Sequence, residues 1–432
     1  MLEGEAWSFT CRRQKDSFWG RAKNKWLDDS MGGQFSNPGN QLDTLDRFSR
    51  SLTERMDYVV CPVRDSWMRN VVDTEVNFYN YLEPGETSFR FSLVAKPIFY
   101  TPFLRVTVVV EKILKSMGYT IGQDELSEDE NLKDLLIICR RNPINITLGS
   151  EAGERYMYGA HLPHITIYSF LREIENKFGY NFIVDEGRKH VDIQRLNFSR
   201  VKEARVFDGM EKHFLTGDDR VKGIVYKDAD SIDEGIKQLA EAGLLSAVFG
   251  QEDDAETVDC ISTIVGVSSD IKKFNIPNVE TNYQYEYRFA AFQEEYSETW
   301  DYKERVKTEL RFSIYRGMVK AVPVNGSGRR YEFDFPVASP IPEDDKNGTF
   351  SLLWSGINDS LGEYVKDRAL LLIGAKQTNE FYVCPDMKNL DNLKELFSNV
   401  LVIRNRKYLC YEQEIVLGNN SIVSHLLRCY PV

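Results

Sequence analysis

The sequence predicts an α+β protein, β-rich and multidomain, with two small helix-strand-strand modules and a mostly antiparallel C-terminal region. Three observations carry that expectation. Two amphipathic stretches share one spacing, each with a proline sixteen residues ahead of a Gly-Tyr pair. Beyond about residue 280 the apolar residues recur with period two, the mark of half-buried strands. The chain has 432 residues, which favours several domains over one.

Residues 1–55 are polar and rich in Gly, Asn and Ser, as in Met31-Gly32-Gly33-Gln34 and Asn37-Pro38-Gly39-Asn40, with Trp7, Trp19 and Trp26 as aromatic anchors. This is loop chemistry, and it predicts an extended N-terminal arm that orders against a neighbour. A hairpin is expected next, where residues 76–81 (VNFYNY) and 88–93 (SFRFSL) flank Glu83-Pro84-Gly85-Glu86.

Residues 102–119 read PFLRVTVVVEKILKSMGY and residues 163–180 read PHITIYSFLREIENKFGY. Val106, Val109, Val110, Ile113 and Met117 share the phase of Ile167, Phe170, Leu171, Ile174 and Phe178. That i, i+3, i+4, i+7, i+11 spacing is one face of a three-turn helix. Proline near the start suits entry into a helix, and glycine after the last buried position suits its C-terminal cap. A strand follows each helix, at residues 119–121 and 181–184. The second copy continues through Asp185-Glu186-Gly187-Arg188 into residues 190–193, and the first through an acidic insertion into residues 135–138. The matched positions point to an internal duplication, with a coincidence of two amphipathic helices as the alternative.

A further helix is expected over residues 232–245, opened by a capping box of Ser231 and Glu234. Then Tyr283, Tyr285, Tyr287 and Phe289 alternate with polar residues, followed by Leu310, Phe312 and Ile314 and by Tyr331, Phe333 and Phe335. A Gly-rich turn at residues 325–328 joins two of these strands. The tail predicts a short helix around residues 391–397, a hairpin of 400–403 with 408–411, and a last strand pair at 414–417 and 422–427. The expected division is an extended arm over 1–55, a first β-rich domain with a helix module over 56–150, a second module and α/β region over 151–280, and a mostly antiparallel β domain over 281–432.

Composition limits the function classes. At 42% hydrophobic and 28% charged residues the chain forms cores, which excludes a wholly disordered protein. Its longest apolar runs, such as residues 369–375, fall far short of the ~18 residues of a membrane helix. Met1-Leu2-Glu3-Gly4-Glu5 lacks the basic and apolar regions of a signal peptide, so folding in a cytoplasm without export is expected. Lys and Arg number 54 against 66 acids, a net charge of −12 that is poorly suited to nucleic acid. The basic cluster of Arg12, Arg13 and Lys15, with Arg21, Lys23 and Lys25, reads as a solvated arm. The acidic stretches at 124–134 and Glu343-Asp344-Asp345 read as solvated loops and helix starts.

Chemical signatures are few. Cys11, Cys61, Cys139, Cys260, Cys384, Cys410 and Cys429 are scattered, with no C-x-x-C pair to clamp a zinc ion, and read as small buried hydrophobes in a reduced protein. There is no phosphate-wrapping Walker loop, no nucleophile elbow and no zincin motif. Of His161, His164, His190, His213 and His425, the first three share a module, but no carboxylate is placed to complete a metal site. Asp230, Glu294 and Glu295 are candidate acids for glycoside hydrolysis only by default. The alternation at residues 283–289 reads either as a sugar-stacking platform or, the expectation here, as the core face of a sheet. No catalytic residue, cofactor site or metal site is predicted, and the protein is not expected to be an enzyme.

Residues 162–193, LPHITIYSFLREIENKFGYNFIVDEGRKHVDI, resemble a segment of tail proteins from phages and prophages of Bacteroidetes. In that family a Leu-Pro-x-Ile/Met lead precedes a helix carrying Phe-Leu or Phe-Ile, then Phe-Gly and closing strands. Residues 102–121, PFLRVTVVVEKILKSMGYTI, resemble the preceding element, a Pro-led helix ending in Gly-Tyr-Thr. More broadly the chain is similar to baseplate hub or tail-tip proteins, in which two related β-rich domains form part of a tube. The resemblance implies a virion structural protein of a bacteriophage or phage-like tail, an assembly and attachment platform assembled in the bacterial host cytoplasm. It also implies a homo-oligomer, with a trimer favoured, and other tail or baseplate proteins as partners, while the charge and the short apolar runs argue against nucleic acid and membrane insertion. The second module is similar as well to the helix-strand units of secretin and TonB-receptor N-terminal domains, which are exported. The alternative function is carbohydrate binding or cleavage on the aromatic β surface.

Overall fold

The structure, a computed structural model, describes residues 17–35, 41–65, 78–80, 82–84, 89–91, 98–139, 144–146, 157–195, 204–206, 210–216, 222–231, 233–275, 282–292, 310–320, 322–323, 334–342, 350–355, 359–374, 378–383, 400–403, 406–417 and 422–431. Helices and strands combine in several small mixed sheets, an α+β, β-rich architecture with no barrel among the described residues. Among the described residues no helix is long and apolar enough to cross a membrane.

The two matched stretches form the helices Val106–Ser116 and Ile167–Phe178, and all ten phased apolar residues are buried. Thr166 caps the second helix, its hydroxyl accepting the Ser169 N–H at 3.0 Å and so satisfying one free donor of the first turn. Gly118 and Gly179 follow the two helices with φ of +84° and +70°. At Gly179 an L side chain is doubly disfavoured, since a Cβ there would lie 2.6 Å from the Tyr364 carbonyl oxygen.

The strands do not close two separate modules. Tyr180–Asp185 and His190–Arg195 pair antiparallel, as the second copy predicts. Thr120–Asp124 of the first copy lies parallel to His190–Arg195, so both copies contribute to one three-stranded sheet. The expected partner of Thr120–Asp124, Leu135–Ile137, instead pairs with Phe103–Arg105 and Leu310–Lys320. Burial explains the separation. Leu135, Leu136 and Ile137 are all buried and need cover on both faces, whereas Thr120–Asp124 is mostly exposed.

The sheet that takes Leu135–Ile137 runs in the order Tyr58–Val59, Phe103–Arg105, Leu135–Ile137, Leu310–Lys320, Ser262–Ile264, with Asp334–Ser339 also paired to Leu310–Lys320. It draws strands from both sides of residues 150 and 280, where domain boundaries were expected. Leu310, Phe312 and Ile314 are buried, and so are Arg311 and Ser313 between them, because this strand is covered on both faces. A second large sheet orders Ala204–Val206, Val400–Ile403, Arg406–Leu417, Ile422–Pro431, Thr378–Val383 and Met210–Thr216. It contains both C-terminal hairpins in the expected antiparallel sense. The aromatic alternation of residues 283–289 lies on Asn282–Phe292, where it pairs with Gly266–Asn275 along its length and with Val322–Pro323 at Tyr285 and Glu286.

Three further expectations need correction. Residues 17–35 and 41–55 are not an extended arm, because they fold onto their own chain. The helices Phe18–Lys23, Leu27–Ser30 and Gln41–Arg50 carry Phe18, Ala22, Leu27 and Phe48 into the main hydrophobic cluster, and Phe35 joins them from a connecting segment. The segment flanks the second repeat helix: Leu27 N–H donates to the Ile165 carbonyl at 2.8 Å and Ile167 N–H to that of Lys25 at 2.9 Å. Its polar average concealed a few spaced apolar residues, which need only an existing surface to bury themselves. The early hairpin is smaller and displaced, joining Glu83–Pro84 to Phe89–Arg90, while Phe78–Tyr79 pairs with Val63–Asp65. The third expected helix is Glu234–Glu241 and its cap is Asp233, whose carboxylate accepts the Gly235 N–H at 3.0 Å. Ser231 accepts the Asp233 N–H instead, so aspartate rather than serine takes the capping position. Trp7, Arg12, Arg13, Lys15, Cys11, Cys384, Glu294, Glu295, Tyr331, Phe333 and the stretches 37–40, 325–328, 343–345 and 391–397 lie outside the described residues.

Candidate functional site

The structure separates the histidines of the second module. His161 is buried, with Nδ1 3.3 Å from the Thr101 hydroxyl and its ring edge-on to Phe35. His164 faces both carboxylate oxygens of Asp28 at 3.0 Å and stacks on Trp26, ring centroids 4.0 Å apart. His190 sits on the sheet shared by the two repeats, Nδ1 3.0 Å from the Thr120 hydroxyl and Nε2 3.2 Å from Asp192. It therefore helps join the strand of one copy to that of the other. His213 and His425 lie on the strands flanking Thr378–Val383. Among the described residues no three metal-ligating side chains converge. Asp230 is a solvated acid, paired with Lys227 at 3.0 Å.

The cluster that sequence reasoning missed is charged and buried. Glu173 and Lys177 occupy one side of the Ile167–Phe178 helix, a turn apart. Lys177 Nζ lies 2.7 Å from Asp228 Oδ1, with both side chains fully buried. The same oxygen accepts the Trp354 indole N–H at 2.7 Å. Glu173 accepts the Ile261 N–H at 2.8 Å, the Ser262 N–H at 3.3 Å and the Ser262 hydroxyl. Four stretches of chain thus meet on one helix: the repeat helix itself, residue 228, residues 261–262 and residue 354. Charged residues on a helix normally read as its solvent face, and only the packing of other stretches over this one inverts that rule. A usable signal existed in Glu173 and Lys177 lying beside Phe170 and Ile174 in the buried phase.

Two carboxylates share one ammonium here, and burial is the dominant influence on both. It pushes the Glu173 and Asp228 carboxyls up, against the opposing pull of Lys177. The Cys260 thiol beside them is also pushed up, first by burial and then by Glu173. The folded protein therefore binds protons at Glu173 and Asp228 more tightly than the unfolded chain does. Their contribution to stability is fully present below the ordinary values of 4.5 and 3.8 and is lost as pH rises through the raised folded values. Urea titrations from pH 4 to pH 8 should show Glu173→Gln gaining on the wild type as pH rises. Parallel curves would mean that Glu173 titrates as an ordinary surface acid.

A concavity of about 670 Å³ opens between residues 52–55, 130–134 and 314–318. Ile314 and Tyr315 line it, and the Tyr315 hydroxyl donates to the Leu52 carbonyl at 2.6 Å, tying the N-terminal segment to the central strand. Arg105 pairs with Asp134, and Lys133 with Glu130, along the same wall.

No protein-family model matches the chain, and no curated protein matches it.

Proposed function

We propose that the protein is a structural subunit of a bacteriophage or phage-like tail, at the baseplate hub or tail tip, and serves as an assembly and attachment platform. The observation that carries this reading is the strand Gly266–Asn275. All ten of its residues pair with Asn282–Phe292 on one side, and among the described strands it lies at the edge of its sheet. At ~3.4 Å per residue it offers about 34 Å of backbone donors and acceptors. Monomeric proteins keep such edges short or blunted, because an open edge recruits another chain. Thr120–Asp124 and Ala255–Asp259 are further edge strands with mostly exposed or half-exposed residues. Cyclic symmetry would cover the same edge in every copy, which supports a closed homo-oligomer such as a trimer. The resemblance of residues 162–193 to tail proteins supports the same role.

Light scattering over a range of concentrations tests the proposal, followed by co-purification with tail-tube and baseplate subunits. A discrete closed oligomer that captures those subunits is the expected result. A chain that stays monomeric at every concentration and captures none of them would overturn it.

A further inference from the structure

We propose that the groove between residues 52–55, 130–134 and 314–318 docks an acidic peptide segment of a partner protein, gripped by Arg55 and Arg316. This deepens the assembly role and rests on it for the source of the peptide. The argument begins with charge. Arg55, Arg105, Lys133 and Arg316 line the groove together with Glu54, Glu130 and Asp134. Arg105 is neutralised by Asp134 and Lys133 by Glu130, while Glu54 is engaged outside the groove by Arg50 at 2.7 Å. Among the described residues neither Arg55 nor Arg316 pairs with a carboxylate, in a chain whose net charge is −12.

The backbone is shaped to present Arg316. In the pairing of Leu310–Lys320 with Asp334–Ser339 the register shifts between Tyr315 and Gly317, leaving Arg316 as the extra residue of a bulge. Such bulges bend the strand and re-aim a side chain. Gly317 adopts φ +81° with open space where a Cβ would stand, so the conformation and not crowding selects glycine there. The guanidinium is half-buried and donates to carbonyls alone: Ser339 at 3.2 Å, Phe350 at 2.8 Å and Pro340 at 3.5 Å. Those bonds hold its plane without cancelling its charge. Burial pushes its pKa down to about 10, which leaves it cationic at neutral pH.

The chemistry of the remaining wall selects the ligand. A guanidinium fork matches carboxylate and phosphate alike. Glu130 and Asp134 in the same groove oppose the dense charge of a phosphate more than a single carboxylate. The apolar strip of Ile314, Tyr315 and the exposed Met318 suits a chain that alternates acidic and apolar residues.

Fluorescence anisotropy of the full-length protein with a labelled hexaglutamate peptide tests this, with unlabelled hexaglutamate, inorganic phosphate and uncharged hexaserine as competitors. Saturable binding is expected, weakened by added salt and competed by hexaglutamate alone. Arg55→Ala and Arg316→Met should each weaken it about ten-fold or more, and Arg316→Lys less. Arg316 also holds three carbonyls, so its variant tests folding as well as binding. Arg55 is exposed, and its variant reads binding by itself. Absence of saturable binding, equal binding by Arg55→Ala, or competition by millimolar phosphate would overturn the proposal. A monomer that still binds the peptide would leave the groove assigned while the tail reading failed.

Discussion

Replacing Lys177 by methionine is expected to destabilise the protein by about 3–5 kcal/mol, the cost of breaking a buried ion pair from one side. Methionine nearly matches the volume of lysine, so packing is preserved and the loss reports charge. Asp228 would keep the Trp354 N–H, but its carboxylate would have no cation in a fully buried site. The double variant Lys177→Met with Asp228→Leu separates the explanations. Removing both charges is often close to neutral, so much of the loss should return. Recovery will be incomplete, since Trp354 then buries an N–H without an acceptor, at about 1–3 kcal/mol. Urea unfolding of the three proteins measures this, and a single-variant loss under about 1 kcal/mol would mean that the pair is solvated. The geometry explains the size of the effect. Lys177 is the cation through which the repeat helix holds residue 228 and, by way of Asp228, the loop carrying Trp354.

Phe18→Ala should cost about 3–5 kcal/mol, the range for truncating a buried aromatic side chain. Phe18 is almost fully buried, edge-on to Tyr119 at 5.1 Å and to Trp19 at 4.9 Å. Its surroundings join the two repeats. Tyr119 ends the first copy, and its hydroxyl donates at 2.7 Å to Glu186, in the turn of the second copy. Glu186 in turn pairs with Arg21 at 3.1 Å and accepts the Phe18 N–H. The N-terminal segment is therefore a clasp across the shared sheet, and Phe18→Ala should both lower the urea midpoint and speed proteolysis between residues 17 and 50. Unchanged global stability with rapid proteolysis would mean that the segment opens independently of the rest.

Much of the local structure was readable without coordinates. The apolar phase assigned the buried faces of Val106–Ser116 and Ile167–Phe178 residue by residue, because a helix repeats every 3.6 residues whatever lies around it. The Gly-Tyr pairs marked both helix ends, because only glycine enters the left-handed region at little cost. The same period placed Glu173 and Lys177 beside the buried Phe170 and Ile174, yet their charges suggested solvent until other stretches of the chain closed over them.

The residues alone therefore set the two repeat helices, with their buried faces and glycine ends, and the two C-terminal hairpins. Long-range packing decided which strands became neighbours, where residues 17–35 and 41–55 docked, and which charges ended up inside. The division has one physical origin. Helix hydrogen bonds and phases are local, set within four residues, whereas every strand carries the same backbone donors and acceptors and will pair with whichever edge its burial brings near. Thr120–Asp124 and Leu135–Ile137 illustrate it. They follow one helix in sequence, yet exposure of the one and two-sided burial of the other sent them to different sheets.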